Sequence, residues 1–324
     1  MLPTQADRAA LTLAARAVRV AMTDTLSTPD LAAELVALLD LEQLDTDLFR
    51  GPQRPGATAR VFGGQVVAQA LMAAQRSVDA PAVAHSMHAY FLRAGTETQP
   101  IIFRVERDFD GKSFANRRVT ASQNGATILT LAASFQRPEA GLEHAIAMPD
   151  LPPPEELRSL DVLAGDYAGI SAEAVAFLGQ PSAFDIRPCG VPAFLQTEPG
   201  TPVSHVWIRF RGSAPTDSAM RRGVLAYLSD YALLSASLIP HGVTMFEHSM
   251  QTASLDHAMW FHEDVPLDDW LLYTSESPWS GHGRGIARGV FHSRDGRAVA
   301  HVTQEGLIRM RPDLAPRTTI PHMP

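Results

Sequence analysis

Apolar positions recur at helical spacing in two stretches, Gly64 to Val78 (GQVVAQALMAAQRSV) and Arg221 to Ile239 (RRGVLAYLSDYALLSASLI). Each stretch is followed by segments with strand-like alternation joined by tight turns. An aromatic strand comes first both times, Ser86 to Phe91 (SMHAYF) and, 170 positions on, Asp256 to Phe261 (DHAMWF). A hairpin follows: Val119 to Gly125 (VTASQNG) lies over Val290 to Gly296 (VFHSRDG) at an offset of 171. Its Asn-Gly and Asp-Gly pairs are expected to supply the positive φ angles of a tight hairpin turn. A Pro-rich connector, MPDLPPPEELRSL at residues 148–160, divides the copies. The pattern predicts a duplicated α+β architecture, two units that each pack one helix on an antiparallel sheet. The period is too long for a solenoid. The expected division is a frayed extension over residues 1–30, a first unit over 31–140, a connector over 141–200, a second unit over 201–312 and a tail over 313–324.

Composition narrows the function classes. With 324 residues and 45% hydrophobic content the chain can bury a full core, as one large domain or two ordinary ones. No run of 18 apolar residues occurs, so no membrane span is expected. The single cysteine, Cys189, excludes an internal disulfide and fits a reducing, cytoplasmic location. A net charge of -8 argues against nucleic acid as a partner. Lys112 is the only lysine, so contacts to a phosphorylated ligand would come from arginine. The first 28 residues are Ala- and Arg-rich in the manner of a transit peptide, but a frayed extension, or a start at Met22, is the stronger reading.

Candidate chemistry centres on Asp230, the one formally charged residue between Gly223 and Phe246. Its helical neighbours Ala226, Tyr227, Leu233 and Leu234 place it on a buried face, where a carboxylate needs specific partners or serves chemistry. A structural aspartate paired with an arginine or capping a loop is the alternative. Strand alternation turns Gln304 inward with Ala300, Val302 and Ile308, while Glu305 points away with His301 and Arg309. Its amide could hold a water, or simply bond to backbone. Ser254 has no nucleophile elbow and reads as an orienter of water; unbroken alternation would put it on one face with Asp256 and Trp260. Asp256 is the rival carboxylate. The repeat sharpens the choice, because Ser254 falls on Ala84, Gln304 falls on Ala133, and no acid lies between Asp47 and Asp79. One chemical site per chain is expected, in the second half.

Secondary candidates are weaker signals. Gly63, Gly64 and Gln65 open the first helix, where free amides could hold an oxyanion or a phosphate. Gly281 to Gly285 (GHGRG) reads as a flexible loop carrying Arg284 toward an anionic ligand. His257 with His262, and His282 with His292, are the only suggestive histidine pairs, and no HExxH or Cys/His set accompanies them. No metal site is expected.

These motifs together resemble the acyl-CoA thioesterase II family, which includes peroxisomal acyl-CoA thioesterases. The matching stretches are Leu48 to Gly51, Val61 to Val67, His85 to Gly95, Ser113-Phe114, Arg117 to Val119, Ala133 to Gln136, Ser229-Asp230, Leu255 to His262 and Gln304 to Gly306. The resemblance runs over about residues 31–312. The resemblance implies a double hotdog fold, each unit a long helix wrapped by an antiparallel β-sheet. It also implies hydrolysis of acyl-CoA to free acid and CoA without a cofactor, by a chain that associates as a homo-oligomer. The family's catalytic aspartate matches Asp230, its glutamine Gln304 and its hydroxyl residue, threonine or serine, Ser254. Two rivals stay open: a hotdog enoyl-CoA hydratase or dehydratase, and a non-catalytic acyl-CoA binding protein. The hydratase needs an Asp and a His five residues apart, whereas Asp256 and His262 are six apart.

Overall fold

The computed structural model describes residues 28–53, 60–163, 171–247, 249–311 and 313. The expectations for residues 1–27, and for all of the C-terminal tail but Asp313, lie outside the described residues. Helix α1 (Thr28–Leu39) opens the chain, followed by β1 (Glu42–Asp45), β2 (Leu48–Gly51), α2 (Gly63–Gln75) and β3 (Val83–Phe91). Strands β4 (Ile101–Asp110), β5 (Phe114–Gln123) and β6 (Ala126–Gln136) complete the first unit. After short helices α3 (Leu160–Leu163) and α4 (Ala172–Leu178) come β7 (Phe184–Pro188), β8 (Val203–Phe210) and α5 (Ser218–Ser229). The chain then forms β9 (Met250–Ser254), β10 (Asp256–Phe261), β11 (Leu271–Gly281), β12 (Arg284–Ser293) and β13 (Ala298–Met310).

The strands form one antiparallel sheet in the order β1-β2-β4-β5-β6-β3-β10-β13-β12-β11-β8-β7, with β9 also paired to β13. This is a double hotdog, and the two aromatic strands of the repeat are its seam: β3 pairs with β10, Met87 opposite Met259 and Tyr90 opposite Asp256. Pairing the two central strands removes two edges that would otherwise be exposed. Strand β7, inside the segment expected to be a connector, extends the second half of the sheet by pairing with β8.

Inside the curve of the sheet lie α2 and α5, side by side and antiparallel. A Cβ on Gly64 at the start of α2 would meet Tyr227 O near the end of α5, and one on Gly223 near the start of α5 would meet Met72 near the end of α2. Small residues at both ends let the helices approach closely, and α2 buries eleven of its thirteen residues. The outer face of the second half is covered by the extended connector. Trp207, Trp270 and Leu272 pack there against Met148, Leu151, Leu157 and Cys189. The Trp207 indole N–H donates to Pro152 O at 2.9 Å, and Arg187 donates to Pro154 O at 2.8 Å. Burial on this face pushes the Cys189 thiol up to about 11.

Three local expectations change. The stretch Arg221 to Ile239 is not one helix: α5 ends at Ser229, Ala232 takes a left-handed φ of 53°, and a 3-10 turn at Leu233–Ser237 packs instead on β11, β12 and β13. By composition Ser218–His241 is apolar enough to cross a membrane, but 78% of its most apolar window is buried inside the protein. The Asn124-Gly125 turn has both φ values positive, at 49° and 77°, as expected. The second hairpin is wider, with only Gly296 positive at 90°. Finally, Gly281 to Gly285 is no flexible loop. His282 and Gly283, with φ 51° and 75°, make a two-residue turn, and Arg284 is the first residue of β12.

Candidate active site

Helix α5 starts on an Asp217 cap, whose carboxylate accepts from Met220 N–H at 3.0 Å, and ends with Asp230 at its C-cap. Asp230 therefore sits at a helix end rather than in a helix middle. The antiparallel packing brings that end to the start of α2. Helix α2 has no side-chain cap of its own at Phe62, and its Gly64 N–H donates to the Asp230 carboxylate. A residue from the neighbouring helix thus satisfies a donor that α2 leaves free, and the positive end of α2 favours the negative charge.

Gln304 and Ser254 reach the same point from β13 and β9. The Gln304 amide donates from Nε2 to Asp230 Oδ1 at 2.8 Å and to Ser254 Oγ at 2.7 Å. Gln304 is 1% exposed and its Oε1 is buried without a protein partner. The position of Ser254 depends on a β-bulge. Ser254 lies opposite Gly306 and Ala258 opposite Thr303, one residue more on this strand than on β13. The extra residue is Leu255, which donates to Glu305 O and accepts from Phe91 N, both at 2.9 Å. The bulge breaks the alternation, so Ser254 shares the inner face with His257 and Met259 rather than with Asp256 and Trp260. Asp256, the rival carboxylate, is held by Glu305 N–H at 2.7 Å and has no arginine partner among the described residues.

Asp230 is enclosed by protein while keeping part of its surface open to solvent. Burial pushes its carboxyl up to about 6, against the donors Gln304 and Gly64, which lower it. A carboxylate in that range is mostly ionised at neutral pH and still basic enough to take a proton from water. Gly63 supplies the room. A Cβ there would lie 2.7 Å from Asp230 Oδ2 and 3.2 Å from the Phe91 ring.

The structure thus brings Asp230, Ser254, Gln304, Gly63 and Gly64 together. The expected oxyanion role of the Gly64 and Gln65 amides is not supported, because Gly64 N–H is engaged by Asp230 and Gln65 N–H by Phe62 O at 3.2 Å. Arg284 is elsewhere, on the outer face with Glu305 Oε1 2.8 Å away. The histidine pairs do not converge either. His257 is fully buried on the inner face, whereas His262 is bonded to His301 at 2.7 Å on the other. His282 is in the hairpin turn and His292 is buried at the end of β12. No group of three or more metal-ligating side chains forms among the described residues. Asp256 and His262 lie about 20 Å apart along an extended chain, too far for an acid and base pair.

Sequence reading missed what replaces the site in the first half. Ala133 occupies the position of Gln304 and pairs with Arg117, where Gln304 pairs with Ala287. The Arg117 side chain is buried and donates to Ser77 Oγ, Ser77 O, Phe109 O and Asn116 O. The place that a second site would take is filled by a guanidinium. Only one signal could have shown this, an arginine at an inward strand position.

Comparison with known proteins shows the family. The model of an acyl-CoA thioesterase N-terminal domain matches residues 52–136, and the acyl-CoA thioesterase model matches residues 180–307. Acyl-coenzyme A thioesterase 8 of Homo sapiens is 39% identical over 298 residues, covering 88% of this chain and 92% of its own. Acyl-CoA thioesterase 2 of Haemophilus influenzae is 37% identical over 285 residues, covering 86% and 98%. The crystal structure of an acyl-CoA thioesterase II from Mycobacterium marinum superposes with a TM-score of 0.71 at 38% identity, over 87% of this chain and all of that one. Identity of this order across nearly the full length of each relative, on one shared fold, places the chain in the acyl-CoA thioesterase II family as a thioester hydrolase.

Proposed function

We propose that Asp230, Ser254 and Gln304 hold and activate a water that hydrolyses acyl-CoA to a free fatty acid and CoA. Asp230 takes the proton of the water as its oxygen attacks the thioester carbonyl carbon. The C–S bond then breaks and the proton passes to the departing thiolate. Ser254 accepts from Gln304, so its own O–H is free to orient the water or the carbonyl oxygen. The observation that carries the reading is the Gln304 amide bridging the carboxylate and the hydroxyl, at 2.8 and 2.7 Å.

Thiol release from acyl-CoAs of increasing chain length tests it. Asp230→Asn should lower turnover by about 100-fold or more, the range of a lost general base. Gln304→Leu should lower it as well, by about tenfold or more, since it frees both partners. Ser254→Thr, which only adds a methyl, should stay active. Near-wild-type turnover in Asp230→Asn would rule the mechanism out.

A further inference from the structure

Behind Asp230 stands a polar clamp that the reaction itself does not use. Ser229, the residue before it, is fully buried and gripped at two points. Its hydroxyl donates to Ala226 O at 2.8 Å and lies 2.8 Å from His257 Nε2. Its carbonyl accepts from the Tyr273 hydroxyl at 3.0 Å. A serine hydroxyl has one proton. Since that proton goes to Ala226 O, the imidazole must be the donor, neutral with its proton on Nε2. Both bonds also do the work of a helix cap, satisfying carbonyls that the last turn of α5 leaves without intrahelical partners.

The clamping groups are themselves held fast. His257 is 0% exposed on β10. The Tyr273 ring on β11 stacks on Phe291 with centroids 4.0 Å apart and planes within 4°. It covers Gly289, where a Cβ would lie 2.5 Å from the ring, so glycine is what admits the tyrosine. Two strands thereby fix the orientation of a helix end. Resting on the reading of Asp230 as the base, we propose that His257 and Tyr273 are positioning residues, which clamp Ser229 and so aim the Asp230 carboxylate at Gln304 Nε2 and Gly64 N–H.

The titratable side chains bonded to this turn are Tyr273 from β11 and His257 from β10, and the turn itself carries the buried Tyr231, whose phenol is pushed far up by burial and stays neutral. Helix α2 brings no charged side chain, only the Gly64 amide, while β13 and β9 bring the neutral Gln304 and Ser254. A change in the pH profile of a clamp variant therefore reports on how Asp230 is held.

The test compares His257→Gln, whose amide can place a donor where Nε2 was, with His257→Met, which has similar length and no donor. Tyr273→Phe, lacking a single oxygen, accompanies them. In folded full-length protein, His257→Met and Tyr273→Phe should each lower kcat about tenfold with KM within twofold. Both should move the acid limb of kcat to higher pH, because a misaimed carboxylate loses the donors that favour its charge. His257→Gln should restore the wild-type profile. The proposal is overturned if His257→Met or Tyr273→Phe keeps the wild-type kcat and limb, or if Gln and Met lose activity equally. If Asp230→Asn remains active, the underlying reading fails instead; an inactive Asp230→Asn beside a fully active His257→Met removes the clamp alone.

Discussion

Asp230 shows how a buried carboxylate is kept at a cost to the fold. Its ordinary carboxyl value is 3.8 and its value in the fold is about 6. Between those values the folded state holds the proton more tightly than the unfolded chain, so its contribution to stability falls as pH rises from 4 through 6. In the proposed mechanism activity runs the other way, because Asp230 must be ionised to act as the base. Turnover should rise with pH through about 6 and level off above, which a kcat profile on a saturating acyl-CoA will show. Asp230→Asn should be more stable than the parent at pH 8, by about 3 kcal/mol, with the difference shrinking toward pH 4. A pH-independent difference in urea midpoints would contradict this. Gly63→Ala should lower kcat about tenfold by pushing on Oδ2, since transition-state positioning is sensitive to shifts of this size.

At the scale of elements, the site is an agreement between a helix end, a helix start and a bulged strand. None of the three is complete alone: α2 lacks a cap, α5 ends on a carboxylate, and β9 faces inward at Ser254 only because Leu255 is an extra residue. Gly64 is the joint, because a Cβ there would lie 2.3 Å from a backbone carbonyl that cannot swing away. Gly64→Ala should therefore separate α2 from α5 and lower both stability, by about 2 kcal/mol, and turnover. Loss of turnover with an unchanged melting midpoint would show that the helices do not meet there. Arg117 provides the contrast, a buried group far from Asp230 in sequence and role. Arg117→Ala should cost about 3 kcal/mol by leaving buried carbonyls without donors, yet leave kcat per folded molecule within twofold.

Across the whole molecule, the proposed site is served by both halves. The first half supplies Gly63 and Gly64, the second Asp230, Ser254 and Gln304, and the seam between β3 and β10 ties the halves into one sheet. Shared sheet and shared helix packing predict one cooperative unfolding transition in calorimetry, even though the length would allow two domains. Two separated transitions would mean that the seam is weak.

Much of this was written in the chain. The repeat, the two aromatic strands, the lone Asp230 and the replacement of Ser254 and Gln304 by Ala84 and Ala133 are local patterns, set by periodicity and by the cost of burying charge. They led to the duplicated α+β architecture and to the three polar residues because such patterns need no knowledge of what packs on what, while the double hotdog fold was implied by the family resemblance. Tertiary structure alone decided the rest. Periodicity continued the helix past Asp230, whereas the left-handed Ala232 and the caps from Ser229 and Tyr273 stop it. Strict alternation paired Ser254 with Asp256, whereas the bulge at Leu255 exists only against β13. Free helix-start amides suggested an oxyanion site, whereas the Asp230 carboxylate, 166 residues away, takes that of Gly64. Each of these depends on a partner remote in sequence, and a hydrogen bond between remote groups leaves no trace in the spacing of either.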